Sequence, residues 1–450
     1  MILQNAKIAL PGSPTLQFLD IETTHGKIVR IGENLTGNNN HNLSGLEIYP
    51  GAIDSHVHFN DPGFTDREDF YHGSCAAVSG GITTVIDMPC TSLPPIISLD
   101  NLFNKLNIIK TKSLLDFGFY GGISKQVIDN NYKEIIANLA EYVMGFKCYL
   151  ISSMNTFGSL NIDELTKAMI EVKKHNRPIL LHAEDPATVI ELTKIEKLKS
   201  NDWINYYRSR PEKAELIAIK NAIAISKKTG CQLHIVHVGS GDGAILISNE
   251  PNVTGETCPH YLQYNYMDFA KVGGSLKTVP VVKTARDSKM LWQCIIDGKL
   301  DFITSDHAPA PATQKNTGSA WTDHSGIPGT GTLFPYLYSE GLVKRHLPLP
   351  RFLQLISENA AKRYNIFNRK GSIEIGKDAD FVVVNPKQQW KVKGKNFFSK
   401  GKLTPFENMI LEGKVVKTII RGNIIYDYEL GIVVDPGYGE FLKPGCLGVE

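Results

Sequence analysis

Between Pro50-Gly51 and residue 310 the chain alternates eight short apolar runs with longer amphipathic stretches, a pattern that a parallel sheet wrapped in helices accommodates and few other architectures do. The runs are AIDSHVHF (52–59), ITTVIDM (82–88), FGFYGGI (117–123), VMGFKCYLI (143–151), PILLHAE (178–184), QLHIVHVG (232–239), VTGETC (253–258) and DFITSDH (301–307). Helical stretches such as Asp163 to Lys174 and Pro211 to Lys228 lie between them, the latter with Leu216, Ile219, Ala222 and Ile223 at helical spacing. Eight strands with crossovers within residues 51–370 predict a (β/α)8 barrel of the TIM type, an α/β fold.

The flanks read differently. Residues 1–50 give short strand-like pieces broken by Gly, Pro and Asn, and no repeat or long low-complexity tract occurs anywhere. Beyond helical stretches near Thr332 to Lys344 and Pro350 to Tyr364, strand character returns at 379–384, 415–422 and 423–428. Isolated hairpins cannot bury their faces alone, so the two ends are expected to pair. This predicts a small β-sandwich domain from residues 1–50 with 371–450, and the barrel, 51–370, inserted between its halves.

Composition narrows the partners. Lys and Arg total 48 against 46 Asp and Glu, a net charge of +2 with no basic block, so neither nucleic acid nor an anionic membrane is an expected partner. The seven cysteines, Cys75, Cys90, Cys148, Cys231, Cys258, Cys294 and Cys446, are odd in number and form no CxxC pair, which suits reduced thiols in a cytoplasm. The start lacks the charged and apolar regions of a signal peptide, and no stretch reaches about 18 apolar residues. A cytoplasmic homo-oligomer, dimer or tetramer, is expected.

A barrel of this kind places its reactive groups at the C-terminal ends of its strands. His56 and His58 are two apart in the first run, so both point to one side. Lys147 stands inside the otherwise apolar fourth run, among Val143, Met144, Phe146, Tyr149 and Leu150, while His182, His237 and Asp306 each close their own run. Together these are the ingredients of a metal site, imidazole being the commonest protein ligand for a metal ion. A lysine so placed can snorkel, pair with a buried carboxylate, or serve as a modified ligand. Among these neighbours the third reading explains it best. Burial disfavours the ammonium, and a neutral amine adds carbon dioxide to give a carbamate whose oxygens can bridge two ions.

Pro50-Gly51-Ala52-Ile53-Asp54-Ser55-His56-Val57-His58, Gly145-Phe146-Lys147-Cys148, Leu181-His182-Ala183-Glu184-Asp185, Leu233-His234-Ile235-Val236-His237, Glu256-Thr257-Cys258-Pro259-His260-Tyr261 and Ser305-Asp306-His307 together resemble the cyclic amidohydrolases of the amidohydrolase superfamily. That group includes allantoinases, dihydroorotases and hydantoinases (dihydropyrimidinases), and Gly371 to Pro386 resembles its return to the β-domain. The resemblance implies two divalent ions, zinc, with His56 and His58 on the more buried one and His182 and His237 on the more exposed one. Carboxylated Lys147 would bridge both, and Asp306 would be a ligand of the buried ion and the general acid/base. It implies hydrolysis of a cyclic amide by a hydroxide generated between the ions, whose charge lowers the pKa of water towards 7. His234, three residues from His237, falls on the other side of its strand and reads as structural. His260 reads as a supporting or loop residue.

The substrate side distinguishes siblings. Dihydroorotases typically show HxHxR, an Asn-Thr after the second-strand Met-Pro, and a His three residues beyond the His of the eighth; here those places hold Asn60, Cys90 and Ala310. A carboxylate-bearing ring would lack its Arg fork. His58-Phe59-Asn60-Asp61-Pro62-Gly63 is similar to allantoinases, and an amide at Asn60 suits a neutral ureido arm. The candidate substrate residues are therefore Asn60, Cys90, Lys283, His307 and Ala310. Two segments, Thr278 to Lys283 and Trp321 to Gly326, depart from the allantoinase pattern. The reading is hydrolysis of allantoin to allantoate, the alternatives being a dihydroorotase, a hydantoinase or dihydropyrimidinase, and a non-enzymatic scaffold of the same family.

Overall fold

The computed structural model describes residues 1–152 and 154–445; Cys446 lies outside the described residues, and the other six cysteines are free and buried. The apolar runs become strands because both faces of each are covered, and Ala52–Val57 and Ile82–Asp87 are buried at every position. Ala52–Val57, Ile82–Asp87 and Asp116–Phe119 pair in parallel in that order. Gly121–Gly122, Phe146–Tyr149, Ile179–His182, Leu233–Ile235, Val253–Thr257 and Phe302–Ile303 continue the parallel set.

The third run is thus one strand interrupted at Tyr120. The Tyr120 amide still donates to Asp87 on one side while the Gly121 amide donates to Gly145 on the other, so the sheet carries on across the break. Closure comes from the last strand, where Val57 bridges His307 and the His58 amide donates to the His307 carbonyl at 2.8 Å. The fold is a (β/α)8 barrel joined to a β-sandwich domain built from both chain ends. Gly51 marks the passage between them: a Cβ there would lie 2.1 Å from Thr83 Oγ1, so a side chain at this position would collide with Thr83.

In the second unit Glu47–Pro50 pairs antiparallel with the start of Phe381–Lys391, which joins the two ends of the chain in one nine-stranded sheet. Ile8, Ile21, Ile48, Phe381, Val383 and Ile419 fill its core. The chain then leaves this sheet, and residues 440–442 hydrogen-bond along Phe117 of the barrel. The helical stretches expected near Thr332 to Lys344 and Pro350 to Tyr364 are present but not uniform: each widens into i→i+5 turns, at Leu337–Val343 and Gln354–Glu358. Pro335, without an amide to donate, stands just before the first of these.

One ion cluster ties the barrel to the sheet. Asp116, Asp378 and Asp380 come close enough to resemble a cation site, but Lys370 fills it, with Nζ 2.5, 2.9 and 2.6 Å from the three carboxylates. All four side chains are buried. Lys370→Met should therefore leave the buried Asp380 carboxylate without an ion pair and cost about 3 to 5 kcal/mol, the usual penalty for breaking a buried ion pair, visible as a lower denaturation midpoint. An unchanged midpoint would mean that Arg421, Arg369 and Lys27, which also touch the cluster, neutralise it without Lys370.

Candidate metal centre

Barrel closure assembles the centre. His56 lies in the first strand and His58 just beyond it, and the hydrogen bond from His58 to His307 brings the end of the last strand against them. His56 Nε2 and His58 Nε2 then stand 3.3 and 3.4 Å from one oxygen of Asp306. Asp54, two residues before His56, accepts the Ser305 amide at 3.1 Å and holds this register.

His182 ends strand Ile179–His182, and the turn that follows is set by Asp185, whose carboxylate caps the helix Pro186–Lys197 by accepting the Thr188 amide at 2.9 Å. His182 Nδ1 lies 3.1 Å from His237 Nε2, and the His237 ring centre is 5.3 Å from that of His56. Asn60, His237 and Asp306 have φ of +59°, +42° and +48°. Such left-handed backbone costs a non-glycine residue of order 1 to 3 kcal/mol and concentrates at functional sites, where it aims side chains that regular strand geometry could not.

Each imidazole is oriented by a partner behind it. Glu256 accepts from His56 Nδ1 at 2.5 Å and Glu184 from His182 Nε2 at 2.8 Å, which leaves His56 Nε2 and His182 Nδ1 as lone pairs facing the cavity. Thr91 Oγ1 holds His58 Nδ1 at 3.0 Å. Burial, with the nearby Lys147 charge, drives the imidazolium forms of His237 and His56 well down, although Asp306 favours the charge on His56. Burial also opposes ionisation of Asp306, but the adjacent His56 and His58 outweigh it and keep the carboxylate ionised far below the usual range.

Lys147, in strand Phe146–Tyr149, is fully buried, and its Nζ has no hydrogen-bond partner. Its ammonium sits over the Tyr149 ring, 4.8 Å from the centre, and burial lowers it to about 8 against the pull of Cys90 and Asp306. An orphaned amine, an unpartnered His237 Nδ1, several lone pairs and a carboxylate in one place form a donor set that divalent ions satisfy.

The histidines and Asp306 open on a cavity of about 380 Å³, which Lys147 does not itself line. His56, His58, His182, His237 and Asp306 line it, and so do Asn60 and Cys90. Three of the expected substrate residues are elsewhere, which corrects the sequence reading. Lys283 Nζ donates to the Arg210 carbonyl at 2.9 Å and faces Glu215 at 3.7 Å. His307 is consumed by Glu68 at 3.1 Å and by the amides of Gly329 and Thr330. Ala310 is buried outside the lining. Register explains all three: each lies a few residues from the cavity wall, where the chain has already turned away.

His234 behaves as its spacing predicts, bonded to Thr254 and Glu256 and stacked on Phe302. His260 is buried with both ring nitrogens unpartnered and is pushed down to about 4 by burial. Sequence reasoning missed Arg210 and Lys277, which line the cavity, and Glu184 and Glu256, which orient its histidines. The carboxylates carried a signal, since each falls within or just after an apolar run. Arg210 carried none, because it follows the short helix Trp203–Arg208 and reaches the cavity through its pairing with Glu184.

A parallel barrel whose strand ends converge on histidines, an aspartate and a buried lysine is built as a hydrolytic barrel enzyme. The chain belongs to the amidohydrolase family, whose model matches residues 48–425. It is 34% identical over 94% of its length to an allantoinase of Rubrobacter xylanophilus, covering 94% of that protein. It is 31% identical to an allantoinase of Salmonella newport, with 98% of each chain covered. Among solved structures, an L-hydantoinase (dihydropyrimidinase) of Arthrobacter aurescens superposes with a TM-score of 0.93 at 28% identity, over 98% of this chain and 99% of that one. A dihydropyrimidinase of Brevibacillus agri gives 0.90 at 26% identity over 99% and 98%. Among the described residues no helix is long and apolar enough to cross a membrane.

Proposed function

We propose that this enzyme hydrolyses the ring amide of allantoin to give allantoate, a step of purine breakdown, at a centre held by His56, His58, Lys147, His182, His237 and Asp306. The carrying observation is the presence of the whole donor set in one buried cluster, with the orphaned Lys147 amine among the histidines. Two zinc ions bound there would supply Lewis acidity towards the carbonyl and acidify a nearby water. Carboxylation of Lys147, in which the amine adds carbon dioxide and releases a proton, would supply an anionic oxygen ligand for them. Asp306 accepts the proton of the attacking water and returns it to the ring nitrogen as the carbon–nitrogen bond breaks. Residues 1–50 with 371–450 form the small domain in this reading, and 51–370 the catalytic barrel.

Substrate choice rests on the far wall. Asn60 presents an amide there, the Arg210 guanidinium is engaged by Glu184, and Lys277 donates to the Asp323 carbonyl at 2.5 Å. A ring bearing a free carboxylate would therefore meet Arg210 and Lys277 already in use, with Arg67, whose Nε donates to Gln314 at 2.9 Å, the remaining cation of the lining. With hydrogen bonds to a charged group contributing about 1.5 to 3 kcal/mol each, allantoin should exceed dihydroorotate by at least about a hundredfold in kcat/KM. The test is a panel of allantoin, dihydroorotate, hydantoin and dihydrouracil on zinc-loaded protein. Faster turnover of hydantoin or dihydrouracil would transfer the reading to the hydantoinases, and comparable turnover of dihydroorotate would overturn the argument from the wall.

A further inference from the structure

A second cavity, of about 360 Å³, lies where the small sheet domain meets the barrel, between the helices Phe70–Ser79 and Thr330–Tyr336 on one side and the strands Phe381–Lys391 and Ile410–Ile420 on the other. It shares no lining residue with the metal centre. Trp390, Phe397, Tyr426 and Tyr428 present aromatic surface to it, and Lys414 reaches into the same space.

The Lys414 ammonium stands 4.1 Å from the centre of the Trp390 ring and 4.6 Å from that of Tyr428. Trp390 is itself fixed by its indole N–H, which donates to the Gly413 carbonyl at 3.0 Å. Among the described residues Lys414 makes no hydrogen bond or ion pair with an oxygen, and burial alone lowers it to about 8. Lys414 is half-buried: cation–π attraction offsets part of the cost of its partial desolvation, and its N–H protons meet no protein oxygen among the described residues and face the cavity. The group that completes such a site is an anion, and the aromatic walls select a flat one.

We propose that this cavity is a second binding site, for a small planar anion such as an aryl carboxylate or an acidic heterocycle, with its charge on Lys414 and its ring against Trp390 and Tyr428. The volume suits one molecule of that size, being at the lower end for small-molecule pockets. The inner wall is His307, the chain neighbour of Asp306, so an occupant would sit one residue from the catalytic strand end without entering the substrate cavity.

Titration calorimetry on the full, zinc-loaded chain tests this with indole-3-acetate, benzoate and urate as probes and indole-3-acetamide as the neutral match. The expected result is one site per chain for at least one of the three anions, with the amide at least tenfold weaker than indole-3-acetate. Lys414→Met should weaken the anion at least tenfold. Tyr428→Ala, at a half-exposed rim position that leaves the fold intact, should weaken it severalfold and decides the matter if the Lys414 variant does not fold. Equal binding of acid and amide, undiminished binding in the variants, displacement by saturating allantoin, or no heat from any probe would each overturn the proposal.

Discussion

Lys147→Ala is expected to abolish turnover and to empty the metal centre. Its amine is fully buried beside the histidines with no hydrogen-bond partner among the described residues, and in carboxylated form it is the one ligand proposed to touch both ions. Alanine leaves a cavity with no anionic replacement, so the imidazole lone pairs held ready by Glu256 and Glu184 would have no bridging charge to share. Metal analysis and activity are measured together. A variant that keeps two ions per chain and normal turnover would make Lys147 a packing residue. The same amine carries a pH signature. Only its neutral form adds carbon dioxide, and burial lowers the ammonium to about 8, so the neutral fraction rises as the pH rises to and through that value. Reactivation of metal-stripped protein by zinc at a fixed concentration of dissolved carbon dioxide should accordingly be faster at pH 8.5 than at pH 6.5. A rate that is flat or falls over that interval would separate reactivation from the lysine.

Asp306→Asn is the second large effect. Asparagine keeps an oxygen of similar shape near His56 and His58, and the hydrogen bonds from the Ser305 amide to Asp54 and from the His58 amide to His307 that place the strand end do not depend on the charge at Asp306. The fold and most of the metal should persist, while turnover falls by the roughly 100- to 10,000-fold typical of losing a general base. Activity within a few-fold of the parent would show that another group carries the proton. His260, buried with both ring nitrogens unpartnered, would be the first candidate.

Much of this centre was legible in the chain because the period of a strand is local. Alternation puts His56 and His58 on one side, and the apolar run around Lys147 already shows that its ammonium is out of place. The strand count was legible for the same reason, and with it the barrel. Less legible were the strand limits. The last run, expected over 301–307, keeps regular pairing only at Phe302–Ile303, because the chain must twist into the left-handed turn that aims Asp306. Residues just past such turns escape periodicity altogether, which is why Lys283, His307 and Ala310 were expected in the cavity and are not there.

The sequence by itself thus determined the number of strands and the union of the two chain ends, and it pointed to the six candidate ligands. It did so because each is written in a pattern a few residues long. Only the tertiary structure decided which polar groups share a wall. Asp54 meets Ser305 across 251 positions and His56 meets Glu256 across 200, while Arg210 reaches the cavity through Glu184. Contacts of that range follow from barrel closure and from backbone turns at Asn60, His237 and Asp306, and no local pattern of residue types encodes either.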